Sequence, residues 1–527
     1  MPDPEEDIFE GPFPEGGLIP EEDIPEGPFP EADIPEGNPF PPSPDESENY
    51  GELPGTGVEE DEDKILDELE ENDEFISGLL SGTLDEKKIR NILELDEFGF
   101  ETPDEEEVKF GLFEKVHDPT KKINPPIWSE KVISESRFTV FVSDLHPSDS
   151  TVADDFYINH INEYFGFPHS ISKAYILGAV LKKLQELFKN RYKEQFNGME
   201  LVLLGDCFDF LECASRKSKF LHTPLGLVLK KFNDDGNTII HILGNHDPTT
   251  PTSYLPLMKH VGRTYYNKEL KIFGLHGHQF DKSNHQATKG VGPLVGMKAC
   301  NIEPKRPTNR IFRMLYKTIW PLRSRPFIPI DNVRPMHRLS KAFEAWVNQG
   351  LKKVPGWTVG LRAKIAAHVG KWLASKMFNY LLKDGDSDQI EHASALFKNG
   401  STVDEGKNKI TLPGGVEYVV MGHTHFPVNA GKYFNTGTWM GVLGLISNST
   451  PPVTEWYEIW PYLVHYKNPQ NNKVEKPVLM GMQYFPLKNK VKTSVLTPKM
   501  TNVFRKRFFG NETKTLDPNT NEVKSVP

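Results

Sequence analysis

Short apolar runs, each ending at a cluster of polar residues, are the strongest pattern along the chain from Phe138 onward. The runs are nearly continuous and rich in β-branched and aromatic residues, which is typical of buried strands. They lie at 138–142, 201–204, 238–243, 270–275 and 416–421. After the first run, residues 176–188 place leucine and valine on one face at helical spacing. Strands that alternate with helices predict an α/β fold in which helices cover sheets.

Asp, Asn and His residues stand at the carboxyl ends of all five predicted strands. Because ligands gather at this edge of the sheet in α/β folds, we expect these side chains to lie close together. They offer imidazole nitrogen and carboxylate or amide oxygen without thiolate, a mixture that suits Mn, Fe, Zn, Co or Ni better than Ca. The seven candidate ligands are Asp144, His146, Asp206, Asn245, His276, His423 and His425.

Seven ligands are too many for one ion, so the set predicts two divalent transition-metal ions, with Mn favoured. If one carboxylate bridges the ions, each ion receives four protein ligands. A hydroxide between two ions about 3.5 to 4 Å apart becomes a nucleophile at neutral pH and can attack phosphorus in line. The ligand set therefore favours hydrolysis of phosphoester or pyrophosphate bonds.

Five short motifs follow one another at these strand ends: DxH, GDxxD, GNHD, HGH and GHxH. Each motif alone is weak, but together they are specific, and they resemble the calcineurin-like metallophosphoesterase superfamily. Residues 143–146, 276–281 and 433–439 are similar to its UDP-2,3-diacylglucosamine pyrophosphatase-like branch. The resemblance covers about residues 137–281 and 416–462.

The resemblance implies a four-layer α/β/β/α sandwich and roles for individual residues. One metal would be held by Asp144, His146, Asp206 and His425, and the other by Asp206, Asn245, His276 and His423. Asp206 would be the bridge. His246 would protonate the leaving group or stabilise the transition state, oriented by Asp209 or Asp247. The chain departs from the branch at Pro147 and Ser148, where a Leu-Gly pair is common, which affects the substrate contacts of the first loop.

Other His and Cys residues receive weaker assignments. His278 lies two residues after His276, so on an extended segment both share one face; a substrate contact and a structural hydrogen bond are both open for it. Cys207 is expected to fill space between the metal loop and the core. No role is assigned to His222, His241 and His260.

A long basic segment separates the fourth and fifth motifs. Residues 282–415 contain 23 Lys and Arg against 9 Asp and Glu, a net charge of +14. Helical spacing at 309–320 and 361–382 predicts a helical cap beside the metals. Substrate binding is assigned to Arg310, Arg313 and Lys317 on the polar face of the first of these helices. The alternative is a segment that stacks on the domain and turns its basic residues to solvent.

The first part of the chain has the opposite charge. Residues 1–110 contain 38 Asp and Glu against 5 Lys and Arg, a net charge of −33. Pro-rich acidic repeats predict disorder for 1–60, followed by an acidic helical segment and linker at 61–136. The metallophosphoesterase domain is then assigned to 137–281 and 416–500, with the cap at 282–415 and a C-terminal tail at 501–527. The acidic region is interpreted as a solubilising tail, or as a mask or bait for basic surfaces.

Three classes of function follow from these features. The first is a metal-dependent phosphodiesterase or pyrophosphatase acting on an anionic phosphorylated substrate, which includes lipid-linked substrates at an anionic membrane surface. The second is a nuclease, favoured by the basic segment because Lys and Arg dominate binding to nucleic-acid backbones; a protein phosphatase is a further alternative. A non-catalytic scaffold is the least favoured class, because no ligand is missing.

The remaining composition concerns the compartment. No apolar run reaches the length of a membrane-spanning helix, and the acidic start differs from a secretory signal, which is basic and then apolar. Three cysteines without CxxC spacing support neither a disulfide framework nor a cysteine zinc site. These features predict a protein of the cytoplasm or another reducing compartment. The sequence leaves the oligomeric state open.

Overall fold

The computed structural model describes thirteen segments of the chain. They are 86–95, 127–147, 172–208, 224–247, 250, 254–281, 333–334, 385–403, 408–445, 454–485, 490–509, 513–517 and 519–526. The predicted disordered region 1–60 and the predicted cap helices 309–320 and 361–382 lie outside these segments. So do Asp209 and the three predicted substrate-binding residues Arg310, Arg313 and Lys317.

The described segments contain five α-helices and nineteen strands. The helices are α1 (Glu86–Ile92), α2 (Lys173–Tyr192), α3 (Pro224–Asp234), α4 (Gly385–Lys398) and α5 (Pro498–Phe509). The strands are β1 (Ile127–Ser134), β2 (Phe138–Val142), β3 (Glu200–Leu204), β4 (Thr238–Ile242), β5 (His260–Asn267), β6 (Ile272–Leu275), β7 (Val333–Arg334), β8 (Ser401–Val403), β9 (Asn408–Ile410), β10 (Tyr418–Met421), β11 (Pro427–Asn429), β12 (Tyr433–Thr436), β13 (Val442–Leu445), β14 (Thr454–Tyr457), β15 (Ile459–Tyr466), β16 (Val478–Phe485), β17 (Lys490–Val495), β18 (Thr513–Leu516) and β19 (Val523–Val526).

Twelve strands form one curled mixed sheet in the order β11-β12-β10-β6-β5-β4-β3-β2-β15-β16-β17, with β1 also paired to β5. The pairs β2–β3, β3–β4 and β10–β12 are parallel, whereas β5–β6, β2–β15 and β15–β16 are antiparallel. The predicted α/β class is confirmed. The five apolar runs correspond to β2, β3, β4, β6 and β10, and the first helical pattern lies inside α2.

Side chains of the central strands alternate between two buried clusters. Val140 and Leu201 point to the cluster that includes α2 and α3, whereas Phe141 and Val202 point to a cluster shared with strands from the other half of the sheet. Full burial of such a side chain stabilises the fold by about 1.5–3 kcal/mol relative to exposure. The strands are therefore fixed in register from both faces, which also fixes the loops at their carboxyl ends.

Helix α4 lies within the segment predicted as the cap and covers a third buried cluster. Its residues Ile390, Ala393 and Leu396 pack with side chains of β6, β10 and β12. Leu516 of β18 belongs to the same cluster. In the described part of the chain, no helix is long and apolar enough to cross a membrane.

Helix α1 lies within the predicted acidic helical segment. Its Ile89, together with Leu93 just after it, belongs to the buried cluster of α2 and α3. Lys182 of α2 donates from Nζ to the Ile92 carbonyl and to Glu94 Oε1, both at 2.8 Å. The described part of this segment therefore packs against α2.

His465 of β15 should make the fold sensitive to acid. Burial lowers the pKa of this imidazole to about 3, and its ring lies edge-on to Tyr418 at 5.3 Å. As the pH falls below about 6.5, the unfolded chain binds a proton here that the folded chain refuses, which costs up to about 1.4 kcal/mol of stability per pH unit. The His465→Phe variant should lose about 2 kcal/mol less than the wild type between pH 7 and pH 5. Urea unfolding at both pH values measures this, and equal losses in the two proteins would contradict it.

Candidate metal centre

The candidate ligands lie on loops that immediately follow β2, β3, β4, β6 and β10. Several of these residues have left-handed backbone conformations, which cost free energy in non-glycine residues and occur where function demands them. The φ angles are 50° for Asp144, 47° for His146, 50° for Asp206, 74° for His423 and 61° for His425. The loops thus turn sharply at the strand ends and direct polar side chains to one place.

The first cluster consists of Asp144, His146 and His425, all buried. Asp144 Oδ1 lies 3.4 Å from His425 Nε2 and 3.9 Å from His146 Nε2. The second cluster consists of Asp206, His276 and His423. His276 Nε2 lies 3.0 Å from Asp206 Oδ2.

Asn245 lies beside the second cluster, and two longer contacts connect the two clusters. Asn245 Oδ1 lies 3.1 Å from His276 Nε2, so it belongs beside the second cluster. Across the clusters, His146 Nε2 lies 4.0 Å from Asp206 Oδ2, and His276 Nε2 lies 4.0 Å from Asp144 Oδ1. The structure therefore brings all seven predicted ligands together.

The donor atoms of each cluster lie near one another, as the ligands of one cation do. Within each cluster they lie within 4.8 Å of one another, whereas nitrogen and oxygen ligands stand about 2.0–2.2 Å from a bound zinc ion. Two donors of one ion are therefore about 3–4.4 Å apart. The clusters could hold metal ions.

Electrostatics within the clusters favour ionised carboxylates. Burial alone would raise the pKa of Asp144 and of Asp206, but His276 and the neighbouring imidazoles hold the pKa of both carboxyls below the usual range. Burial alone would lower the pKa of His276, but Asp206 and Asp144 raise that pKa to about 9. Imidazole and carboxyl groups bind a cation in their deprotonated forms. We therefore expect cation binding to release protons from these clusters.

His246 lies at the edge of the first cluster. Its ring centroid is 4.6 Å from that of His146, the two rings meet edge to face, and its backbone N–H donates to Asp206 Oδ1 at 2.7 Å. The side chain is half-buried. The contact of His246 with a reacting group stays a prediction.

Asp247 organises the loops. Its carboxylate accepts from the backbone N–H groups of Asp206 at 2.9 Å and Cys207 at 2.8 Å, and from Gly244 at 2.7 Å. The described contacts of this carboxylate are with backbone amides and with His241, whose Nε2 lies 2.8 Å away. Because several donors already surround Asp247, it holds the Asp206 loop in place.

His241, to which no role is assigned from the sequence, completes this arrangement. Its Nδ1 lies 2.7 Å from Thr250 Oγ1, so both ring nitrogens have partners. A polar residue in the middle of a buried apolar strand was the signal that could have identified it. Cys207 is buried as predicted, and its Sγ lies 3.3 Å from the Gly205 carbonyl oxygen.

His278 is buried beside the second cluster but is not a member of it. Its ring centroid is 5.3 Å from that of His276 and 6.4 Å from that of His423. The expectation of an extended segment is wrong: Gly277 has φ +108°, and a 3-10 helix begins at His278. Burial and the two neighbouring imidazoles hold the pKa of His278 well below its usual value.

Two positioning contacts escape the sequence patterns. Asp281 Oδ2 lies 3.1 Å from His423 Nε2, where it can orient that imidazole. Gln389 of α4 accepts from Tyr433 Oη at 2.9 Å and from Asn435 Nδ2 at 3.0 Å. Asn435 Nδ2 also donates to the Gly422 carbonyl at 2.8 Å, so α4 is connected to the loop that carries His423 and His425.

The segment 433–439 is hydrogen-bonded to the loop that carries Asp144. Ser143 Oγ lies 2.6 Å from Thr436 Oγ1 and donates to the Gly437 carbonyl at 3.0 Å. Thr438 Oγ1 donates to the Asp144 carbonyl at 2.8 Å. The Asp144 loop is thus hydrogen-bonded on the side away from the ligands.

Gly205 provides a controlled test of packing behind the second cluster. It has φ +84°, and a Cβ there would lie 2.4 Å from His276 Cγ, whereas Gly236 has the same φ, +84°, and nothing within 4 Å. We expect Gly205→Ala to weaken Mn²⁺ binding about 10- to 100-fold. Gly236→Ala should leave binding unchanged and cost only about 1 kcal/mol of stability. Calorimetric Mn²⁺ titration and urea unfolding measure both effects, and identical results for the two variants would contradict a role for the close approach to His276.

Carboxylates and imidazoles converge at one edge of the sheet, where they could hold cations. A scan against protein-family models and a search of curated proteins found no match to this chain. The two clusters and the surrounding motifs are therefore the basis for assigning a function.

Proposed function

We propose that this protein is a dinuclear-metal-dependent hydrolase of phosphoester or pyrophosphate bonds. The observation that carries the proposal is the meeting of two buried Asp–His clusters at the carboxyl ends of five strands. Contacts of about 4 Å between the clusters suit two neighbouring cations. The motifs resemble the calcineurin-like metallophosphoesterases, in which such a centre hydrolyses phosphate esters.

The proposal includes the four-layer α/β/β/α fold of that superfamily. The buried clusters support it, because α2 and α3 pack on one face of the sheet and α4 packs on the outer face of β6, β10 and β12. Between them lies a cluster formed by side chains from both halves of the curled sheet. Such contacts are expected if the two sheet halves pack face to face with helices outside.

The residues divide into those that hold cations and those that move protons. The first cluster with Asp206 would hold one cation, and Asp206, Asn245, His276 and His423 would hold the other. When bound, divalent cations supply Lewis acidity at phosphoryl oxygens and lower the pKa of water. Mn is favoured, with Fe, Zn, Co and Ni as alternatives, because the donors are imidazole and carboxylate.

His246 is the proposed proton donor. It is half-buried and lies beside His146 of the first cluster, so we expect its ring to reach the oxygen that leaves phosphorus. Asp206, which accepts from the His246 backbone, ties this residue to the centre. Asp247 and His241 hold the Asp206 loop rigid, so the donor and the cation ligands keep one geometry.

A substrate panel tests this function. The full chain, stripped of metal and reconstituted with Mn²⁺, is assayed against bis(p-nitrophenyl) phosphate, p-nitrophenyl phosphate, a nucleoside diphosphate-sugar lipid and single-stranded nucleic acid. We expect Mn²⁺-dependent hydrolysis of the diester and preference for a diester or pyrophosphate over the monoester. Preference for nucleic acid would favour the nuclease alternative, which the +14 charge of residues 282–415 supports. No hydrolysis by metal-loaded protein of any of these substrates would overturn the proposal.

A further inference from the structure

A fully buried ion pair is connected by hydrogen bonds through Trp439 to Asp144 of the first cluster. Lys173 is the first residue of α2, and its ammonium pairs with the carboxylate of Glu458, which precedes β15; neither side chain exposes any surface. The same Nζ donates to the Trp439 carbonyl at 2.7 Å. Trp460 Nε1 donates to Glu458 Oε1 at 3.3 Å, which helps to fix the carboxylate.

Stability alone does not account for this pair. Removing two charges from water costs several kcal/mol per ion, and replacing such a pair by apolar residues is often neutral or stabilising. A cation at a helix N-terminus is also unfavourable, because the helix dipole is positive there. The first turn of α2 contains no acidic residue to offset Lys173. A charge kept in this position points to a role in the neighbouring loop.

Trp439, whose carbonyl accepts from Lys173, is also hydrogen-bonded to Asp144. The Trp439 backbone N–H donates to the Asp144 carbonyl at 3.1 Å, and Thr438 Oγ1 donates to the same oxygen at 2.8 Å. Trp439 Nε1 donates to the Pro461 carbonyl at 2.8 Å. Lys173 therefore restrains the loop that holds the backbone of Asp144 in its left-handed conformation, φ 50°.

We propose that Lys173 and Glu458 are positioning residues that set the affinity of the first cluster for a divalent cation. Lys173 fixes the Trp439 carbonyl, the 438–439 peptide fixes the Asp144 carbonyl, and Asp144 then presents its carboxylate to His146 and His425. Glu458 neutralises the buried ammonium and sets its direction. The inference rests on the metal-binding part of the proposed function.

The decisive variant replaces both charges at once. In the full chain, Lys173→Met combined with Glu458→Met should keep or raise the melting temperature, since a buried pair is replaced by apolar side chains. It should nevertheless raise the Kd of the first cluster for Mn²⁺ about 10- to 100-fold. A loss of metal affinity of this size is usual when a group that orients a metal ligand is removed. Calorimetric titration with Mn²⁺ gives the affinity, and the Co²⁺ absorption spectrum reports ligand geometry at the first cluster.

The matched control is an exposed ion pair between α2 and the residues that follow α1. Lys182 and Glu94 form a pair at 2.8 Å whose side chains are 35% and 61% exposed. Lys182→Met with Glu94→Met should leave both the Mn²⁺ affinity and the Co²⁺ spectrum unchanged. A similar loss of affinity in this control would overturn the proposal, because it would show a general effect of charge.

A second variant tests the same path without touching the ion pair. Thr438→Val removes one donor to the Asp144 carbonyl and should weaken the same Mn²⁺ site, so the test stands if the double variant does not fold. Affinity equal to wild type in a folded double variant, or in Thr438→Val, would overturn the inference. If the wild type itself binds no divalent cation, the proposed function fails instead.

Discussion

Replacing Asp206 by Asn is expected to reduce hydrolysis of a chromogenic phosphodiester by about three orders of magnitude or more. Asp206 Oδ2 lies 3.0 Å from His276 Nε2 in one cluster and 4.0 Å from His146 Nε2 in the other, so this carboxylate lies near both clusters. An amide removes the negative charge and replaces an acceptor oxygen by an NH₂ donor. Both clusters should therefore retain fewer cations. Metal content after Mn²⁺ reconstitution and initial rates of hydrolysis measure the two effects.

The control for this substitution is Asp234→Asn in α3. Asp234 pairs with Lys230 on the surface, so the same chemical change there should leave metal content and rate unaffected. A folded Asp206→Asn variant that keeps two ions and the wild-type rate would exclude Asp206 as the bridge. Wild-type protein that binds one ion or none in excess Mn²⁺ would contradict the two-ion centre.

His246→Ala should keep both metal ions and lower turnover by about two to four orders of magnitude, the usual contribution of general-acid catalysis. The backbone N–H that donates to Asp206 remains in the variant, so the ligand loop should be preserved. A substrate with an activated leaving group needs less help from a proton donor and should hide part of the defect. Turnover on p-nitrophenyl and alkyl esters, together with metal content, separates these effects.

His260→Ala provides the comparison for His246. His260 begins β5 and is only partly buried, so its loss should change neither turnover nor metal content. Loss of metal in His246→Ala would identify His246 as a ligand, and an unchanged rate on both esters would exclude it as the proton donor.

The convergence of the seven candidate ligands could be predicted from the sequence because it follows from local rules. Each ligand stands directly after an apolar strand, and carboxyl ends of neighbouring strands meet at one edge of the sheet. The contacts behind the ligands could not be predicted in this way. Gln389 lies more than 40 residues from Asn435, and Lys173 lies far along the chain from Glu458. Such contacts depend on how distant elements pack, which a local pattern does not record.

The order of strands in the sheet could likewise be predicted only in part from the sequence. The apolar runs predicted β2, β3 and β4, whose side chains are buried on both faces. The pairing of β1 with β5 and of β15 with β2 joins residues distant in the sequence, and no periodicity specifies it. The charge of residues 282–415 likewise defines a basic segment, but it does not indicate that Ile390, Ala393 and Leu396 pack on the sheet.

The hydrogen bonds of Gln389 determine where the junction of a chimera between this protein and another should be placed. Because α4 is bonded through Asn435 to the loop of His423 and His425, a chimera that exchanges all of residues 282–415 would remove a support of the ligand loop along with the exchanged segment. A junction placed before Gly385 keeps α4 from this chain while the preceding residues are replaced. Grafts of that kind would replace the basic segment up to Gly385 while the candidate metal centre keeps its support from Gln389.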